Sequence, residues 1–292
     1  TLFDCIEFNE PFRLIDIVCD AAFLAMDLED RGLHALSRRF ISLWLEHTGD
    51  YAGLELLNFY KAYRAMVRAK VALFSLQHQS NAEAREATLR QYRSYADLAE
   101  SYSAIPNPFL AITHGVSAVG KSHVAMRLVE ALGAIRLRSD VERKRLLGLQ
   151  SATAQGQLDA GIYNSDSTAA TYQRLHQLAA GILRCGLPVV IDATYLKQAQ
   201  REAARSTAEA AAVPLLIVDC HAPQALIEQW LAKRSEEGSD PSDANMAVVE
   251  AQQASREALT KEELRCSQTV DTSDSSSTDS LIERIKQHLS SQ

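Results

Sequence analysis

Residues 109–122 read Phe109-Leu-Ala-Ile-Thr-His-Gly115-Val-Ser-Ala-Val-Gly120-Lys121-Ser122. A short apolar run feeds a G-x-x-x-x-G-K-[ST] loop. Apolar residues at helical spacing follow (Val124, Ala125, Leu128, Val129, Leu132) and stop at Gly133. Strand, loop and helix in this order give the motif its meaning. The glycines let the backbone curl until its N–H groups converge on phosphate oxygens, and the helix N-terminus adds partial positive charge. On this reading Gly115, Val116, Ser117, Ala118, Val119, Gly120, Lys121 and Ser122 form the phosphate cradle. Lys121 is expected to reach the β- and γ-phosphates, and the Ser122 hydroxyl to hold Mg²⁺.

Beyond the loop, short apolar runs alternate with amphipathic segments. Strands are expected at 109–113, 134–137, 188–191 and 214–218, with a weaker one near Thr269 and Val270. Helices are expected over 121–132, 141–147, 166–184, 197–211, 223–236 and 245–264. The Ser/Thr/Asp-rich stretch 271–280 reads as a solvated loop before a last helix, 281–289. Strands separated by helices imply an α/β domain with a parallel sheet covered on both faces, a three-layer arrangement.

Upstream the pattern changes. No proline occurs between Phe12 and Ile105, and residues 12–103 read as about four helices. In one of them Leu57, Tyr60, Val67, Val71 and Phe74 share a stripe interrupted by Arg64. Asp16, Asp20 and Asp27 lie near one face of another, which suggests an ion pair between helices rather than catalysis. Pro106-Asn-Pro108 ends this regime, so the domain boundary is placed there: 1–105 helical, 106–292 nucleotide-binding.

Composition narrows the function classes. A net charge of −7 provides no global basic field for nucleic acid or an anionic membrane. The five cysteines show no metal-ligand or disulfide spacing, which fits a reducing cytoplasm. No apolar run approaches the ~18 residues of a membrane helix, and no signal peptide is recognisable. The chain starts Thr-Leu-Phe-Asp without Met, so an upstream part is expected to be missing.

Three further segments carry chemistry. Arg138-Ser-Asp140-Val-Glu142-Arg143 follows the second strand, where a parallel sheet places its ligands. Asp140 and Arg143, three apart on a helix, face the same way. A carboxylate there can accept a proton from an attacking hydroxyl, and the arginine can steady it or the phosphates. The competing reading is a helix cap with a solvated basic face. Leu187-Pro-Val-Val-Ile-Asp192 has the form of a Walker B strand whose carboxylate serves Mg²⁺; a structural cap is the alternative. Lys233-Arg234 ends a helix before a Gly/Pro-containing polar segment, which suits a lid bringing Arg234 over the phosphates, or a plain surface loop. His114 reads as a strand-end residue.

These segments carry a family likeness. GVSAVGKS, RSDVERKRL, VVIDAT and WLAKRSEEGSDPSDA, in this order, resemble P-loop small-molecule and polynucleotide kinases, including gluconate kinase-like proteins and 5′-hydroxyl polynucleotide kinases. Asp140-x-x-Arg143 looks like the D-x-x-R element of the latter, whose Asp is the general base, and Arg234 matches the lid arginine. LFDCIEFNEPFRLIDIVCDAAFLAMDLEDRG and FYKAYRAMVRAKV resemble the C-terminal lobe of aminoglycoside phosphotransferase-like kinases. The whole chain is similar to bacterial fusions of such a lobe with an AAA-type or P-loop ATP-binding domain. It departs from the pattern at Ala118-Val119 and His123, where relatives often have Gly-Ser and Thr. The first half lacks the Gly-rich loop and the H-G-D-x-x-x-x-N segment, although Asp4 is a candidate match for the metal-binding Asp.

The resemblance implies an ATP- and Mg²⁺-dependent phosphotransferase with a hydroxyl acceptor, nucleic acid entering only as a substrate. Lys121, Asp140, Arg143 and Arg234 are the expected catalytic residues, and Ser122 and Asp192 the metal ligands, with Asp140 and Asp192 interchangeable in role. The alternative is an ATP-binding regulatory module serving an attached kinase-like half.

Overall fold

A computed structural model describes residues 14–79, 81–104, 107–148, 165–237 and 245–290. The chain divides into two compact units, Thr1–Ile105 and Pro106–Gln292.

The first unit is helical: α1 (Ile17–Asp30), α2 (His34–Thr48), α3 (Leu54–Ser75) and α4 (Ala82–Ser101). Asp16 caps α1 by accepting from the Val18 N–H, and Asn81 caps α4 through the Glu83 N–H. The expected stripe on α3 is corrected. Val71 and Phe74 are exposed, and the buried face runs through Leu57, Ala65, Ala69 and Ala72. The reason is steric: alanines let α3 approach Ala21, Ala22 and Ala25 of α1 closely, with Met26 and Tyr95 filling the remaining core. Arg64 does pair with Asp20, at 3.6 Å, and lies over the Phe23 ring. The more buried ion pair is one the sequence did not reveal. Lys61 donates to Glu29 at 2.8 Å, and Ser37 and Tyr102 donate to the same carboxylate. Burial raises the Glu29 pKa, but Lys61 and these hydrogen bonds outweigh it and leave it below the ordinary value.

The second unit is α/β. Its order is β1 (Leu110–His114), α5 (Lys121–Leu132), β2 (Ile135–Arg138), α6 (Ser139–Leu146), α7 (Ser165–Arg184), β3 (Val189–Asp192), α8 (Gln198–Ala210), β4 (Leu215–His221), α9 (Gln224–Glu237), α10 (Met246–Ser255), β5 (Ser267–Asp271) and α11 (Ser275–Ser290). The sheet runs β2-β3-β1-β4-β5, with every neighbouring pair parallel. Strands β1 and β3 are buried on both faces, as a sheet covered by helices demands. β1 lies between β3 and β4, so the chain leaves β1 toward one edge and later crosses to the other. That reversal opens a crevice at the carboxyl end of β1.

Two boundaries differ from expectation. The helix expected over 245–264 ends at Ser255, because tertiary hydrogen bonds outcompete helix propensity beyond it. Arg256 is extended and tied to Asp219. Buried Arg201 takes the carbonyls of Glu257 and Ala258 as well as the Glu263 carboxylate. Residues 275–280 are the start of α11 rather than loop. Asp274 caps that helix by accepting from the Ser276 N–H, so the serines occupy its first turns, where their helix penalty is small.

Candidate active site

The loop 115–120 stands at the β1 crevice, gripped from both sides. On the β3 side the Gly115 N–H donates to Thr194 O at 3.1 Å, and Thr113 Oγ1 donates to Ala193 O at 2.7 Å. On the β4 side Gly115 has φ +136°, and a Cβ there would lie 2.8 Å from the Cys220 carbonyl oxygen. Gly120, at φ +85°, packs against Thr272, whose hydroxyl bonds Val119 O at 2.8 Å. Glycine is therefore required at both motif positions by close approach as well as by backbone sign. Ala118, between them, is held at φ +61° despite its side chain.

Lys121 is buried and donates its Nζ to Val116 O at 2.6 Å, so the ammonium lies folded over its own loop. Arg136, on β2, donates to Ser122 O. Under the loop, Asp219 of β4 gathers three cationic or imidazole groups. His114 Nδ1 lies 2.6 Å from one oxygen, Arg256 Nη2 3.1 Å from the same one, and His221 Nε2 2.8 Å from the other. Burial raises the Asp219 pKa, but the hydrogen bonds and charges of His114 and His221 outweigh it and hold it below the ordinary carboxylate value.

The acidic candidates sit at the ends of β2 and β3. Asp140 is in the first turn of α6, with its Oδ1 3.8 Å from Arg143 Nη1. Asp192 ends β3 opposite Arg138, whose Nε lies 3.5 Å from its Oδ2. Tyr172 of α7 bridges toward the loop. Its hydroxyl shares a 3.2 Å contact with Thr194 Oγ1 and accepts from the Tyr195 N–H, and it lies within electrostatic reach of both Arg143 and Asp140. Burial raises the Tyr172 pKa, so it stays a neutral hydrogen-bonding group.

Asp192 is buried, and its Oδ2 has no hydrogen-bond partner. The Arg138 guanidinium, 3.5 Å away, offsets the charge of that oxygen without hydrogen-bonding it, so a lone pair stays available to a Mg²⁺-bound water, which fits the Mg²⁺ role read from the sequence. Among the described residues no group of three His, Cys, Asp or Glu side chains can hold a metal by itself.

Arg234 lies in α9, but its side chain and residues 238–244 lie outside the described residues, as do Asp4 and Cys5. Sequence reasoning missed Thr194, Tyr172, Asp219, Gln252, Arg256 and Thr272. Only Thr194 carried a signal, standing two residues beyond the apolar run that ends in Asp192. Among the described residues no helix is long and apolar enough to cross a membrane.

Sheet order, loop and acidic strand ends together define a P-loop domain of the kinase type. Residues 110–259, just over half of the chain, match the AAA domain family, and the chain belongs to that family. It is 32% identical over 254 residues to the uncharacterized proteins Rv2004c of Mycobacterium tuberculosis and Mb2027c of Mycobacterium bovis. The alignment covers 87% of this chain and 50% of each relative, so the chain spans half the length of the curated proteins it matches. Among solved structures, the "putative kinase" of Chloroflexus aurantiacus is similar with a TM-score of 0.51 at 19% identity, over 64% of this chain and 99% of that one. This is a likeness of fold. The APS kinase CysC of Mycobacterium tuberculosis, solved with AMPPNP and APS, has a TM-score of 0.45 at 21% identity over 64% and 99%. A gluconokinase of Sinorhizobium meliloti gives 0.43 at 19% over 63% and 98%.

Proposed function

We propose that the second unit binds ATP with Mg²⁺ and transfers the γ-phosphoryl group to a hydroxyl acceptor, a small molecule or a polynucleotide 5′-hydroxyl. The observation that supports this best is the Asp140–Arg143 pair in the helix that follows β2, at the same carboxyl end of the sheet as the phosphate loop.

In this reading Lys121 exchanges Val116 O for the β- and γ-oxygens, and the loop amides take the remaining charge. Ser122 and Asp192 hold Mg²⁺, whose charge offsets that of the phosphate oxygens. Asp192 is assigned to the metal because it is the more buried acid and ends β3 beside the loop, with an oxygen that faces Arg138 but accepts no hydrogen bond. Asp140 accepts the acceptor's proton as the new O–P bond forms and the bond between the γ-phosphorus and the ADP oxygen breaks. Arg143 orients Asp140, and Arg234 steadies the transferring group. For the first unit the resemblance alone supports a part like the C-terminal lobe of an aminoglycoside phosphotransferase-like domain.

The test is ATP consumption with Mg²⁺, alone and with sugars, aminoglycosides and 5′-hydroxyl oligonucleotides. Acceptor-stimulated turnover that Asp140→Ala abolishes while sparing ATP binding supports the proposal. ATP binding with no transfer to any acceptor favours the regulatory alternative.

A further inference from the structure

Gln252 lies near the end of α10, 135 residues along the chain from Ser117. Its Oε1 accepts from the Ser117 N–H at 2.6 Å, and its Nε2 donates to Ser117 Oγ at 3.1 Å. Both ends of one side-chain amide are thus spent on one residue of the phosphate loop. A carboxamide has one acceptor end and one donor end, so the pair of bonds fixes its orientation as well as its place.

The neighbour of this contact explains why it matters. Ala118 follows Ser117 directly and carries the loop's positive φ of +61° on a residue with a side chain. Such a conformation is rare for a residue with a side chain and persists only where the surroundings impose it. Among the described residues, Gln252 supplies both side-chain hydrogen bonds to Ser117. The same segment holds the base of the loop a second time. Arg256, four residues on, donates to Asp219, which holds His114, the residue before Gly115. The end of α10 therefore meets the loop at its third position and under its first.

We infer that Gln252 is a positioning residue of the phosphate loop. Its amide holds the Ser117 peptide so that the strained turn at Ala118 is already formed when a nucleoside triphosphate arrives. The inference rests on the reading of this loop as the nucleotide site. It concerns preorganisation, not contact with the reacting atoms. Fixing the loop beforehand lowers the ordering cost charged against binding.

The experiment measures affinity of the full chain for a non-hydrolysable ATP analogue with Mg²⁺ by calorimetry. Three variants are compared with the wild type: Gln252→Met, Gln252→Glu and Lys121→Ala. Met keeps the volume of Gln252 and loses both hydrogen bonds. Gln252→Met is expected to weaken binding on the order of tenfold, because part of the binding free energy then goes into re-forming the loop. The melting temperature of the nucleotide-free chain is expected to fall by only a few degrees, because the relaxed loop regains hydrogen bonds to water. Gln252→Glu keeps an acceptor for the Ser117 N–H but sets a negative charge beside the phosphates. Its affinity is expected to fall most at low ionic strength and to recover as salt is added, as a charge held beside the phosphates requires. Lys121→Ala is expected to lose most binding. Wild-type affinity in Gln252→Met, with Lys121→Ala impaired, overturns the inference and leaves the nucleotide site standing. Salt-independent binding by Gln252→Glu at wild-type strength overturns it equally. Undiminished binding by Lys121→Ala overturns the reading of the loop itself.

Discussion

Replacing Gly115 by alanine tests the geometry of the loop at its tightest point. The residue sits at φ +136°, a region essentially closed to L side chains, which costs on the order of 1–3 kcal/mol. Its new Cβ would also stand 2.8 Å from Cys220 O and 3.0 Å from Val119 Cγ1. The carbonyl belongs to β4, a strand paired on both sides, so it has little freedom to retreat. Overpacking of this kind adds another ~1–3 kcal/mol, for a total on the order of 2–6 kcal/mol. In a unit of this size that lowers the melting temperature by roughly 5–20 °C. Gly32 provides the control: it too has positive φ, at +75°, but nothing lies within 4 Å of its would-be Cβ. Gly32→Ala should therefore cost only the backbone term of about 1–2 kcal/mol. The two tryptophans make the assay selective, since Trp44 lies in the first unit and Trp230 in the second. In a Trp44→Phe background, urea unfolding followed by Trp230 fluorescence reports the second unit, and Trp44 in a Trp230→Phe background reports the first. Gly115→Ala unfolding at the urea concentration of its parent, or losing no more than Gly32→Ala does, would refute the loop geometry.

Three other perturbations have defined outcomes. Burial pushes the His176 pKa down to about 4 from an ordinary 6.5, and its Nε2 has no hydrogen-bond partner. Between those values the unfolded chain binds the extra proton, so stability falls as pH drops from 6.5 toward 4, by on the order of 3 kcal/mol. Urea unfolding at several pH values should show that slope reduced in His176→Gln, and an unchanged slope counts against it. The fully buried Arg201 pairs with Glu263 at 2.7 Å. Arg201→Met should cost about 3–5 kcal/mol by stranding the carboxylate, and Arg201→Met with Glu263→Leu less than that; equal losses in the urea midpoints would contradict this. Asp192→Asn should raise the Mg²⁺ concentration needed for half-maximal ATP turnover while leaving the melting temperature within a few degrees, and an unaltered Mg²⁺ dependence would remove Asp192 from the metal site.

The sheet was legible because its strands are short apolar runs set off by glycine, proline and polar residues, and each lies near its expected place in the structure. The four helices of the first unit were legible for similar reasons, but the buried face of α3 was not. Periodicity favoured the large residues Val71 and Phe74, whereas close approach of α1 selected the alanines. Likewise, a helical reading of 245–264 had no means of anticipating Arg201, which captures the Glu257 and Ala258 carbonyls from more than 50 positions away. The phosphate loop announces itself because its chemistry is local in sequence. The residues that hold it do not: Gln252, Arg256 and Thr272 reach it across long separations and belong to no local pattern.

The most direct measurement follows the label of ATP carrying ³²P at the γ-position through a reaction with Mg²⁺ and the acceptor panel. Label is expected on a hydroxyl of at least one acceptor, and to be lost in Asp140→Ala while that variant still binds ATP. Label appearing only as inorganic phosphate, at one rate whatever acceptor is present and whether or not Asp140 is intact, would contradict it.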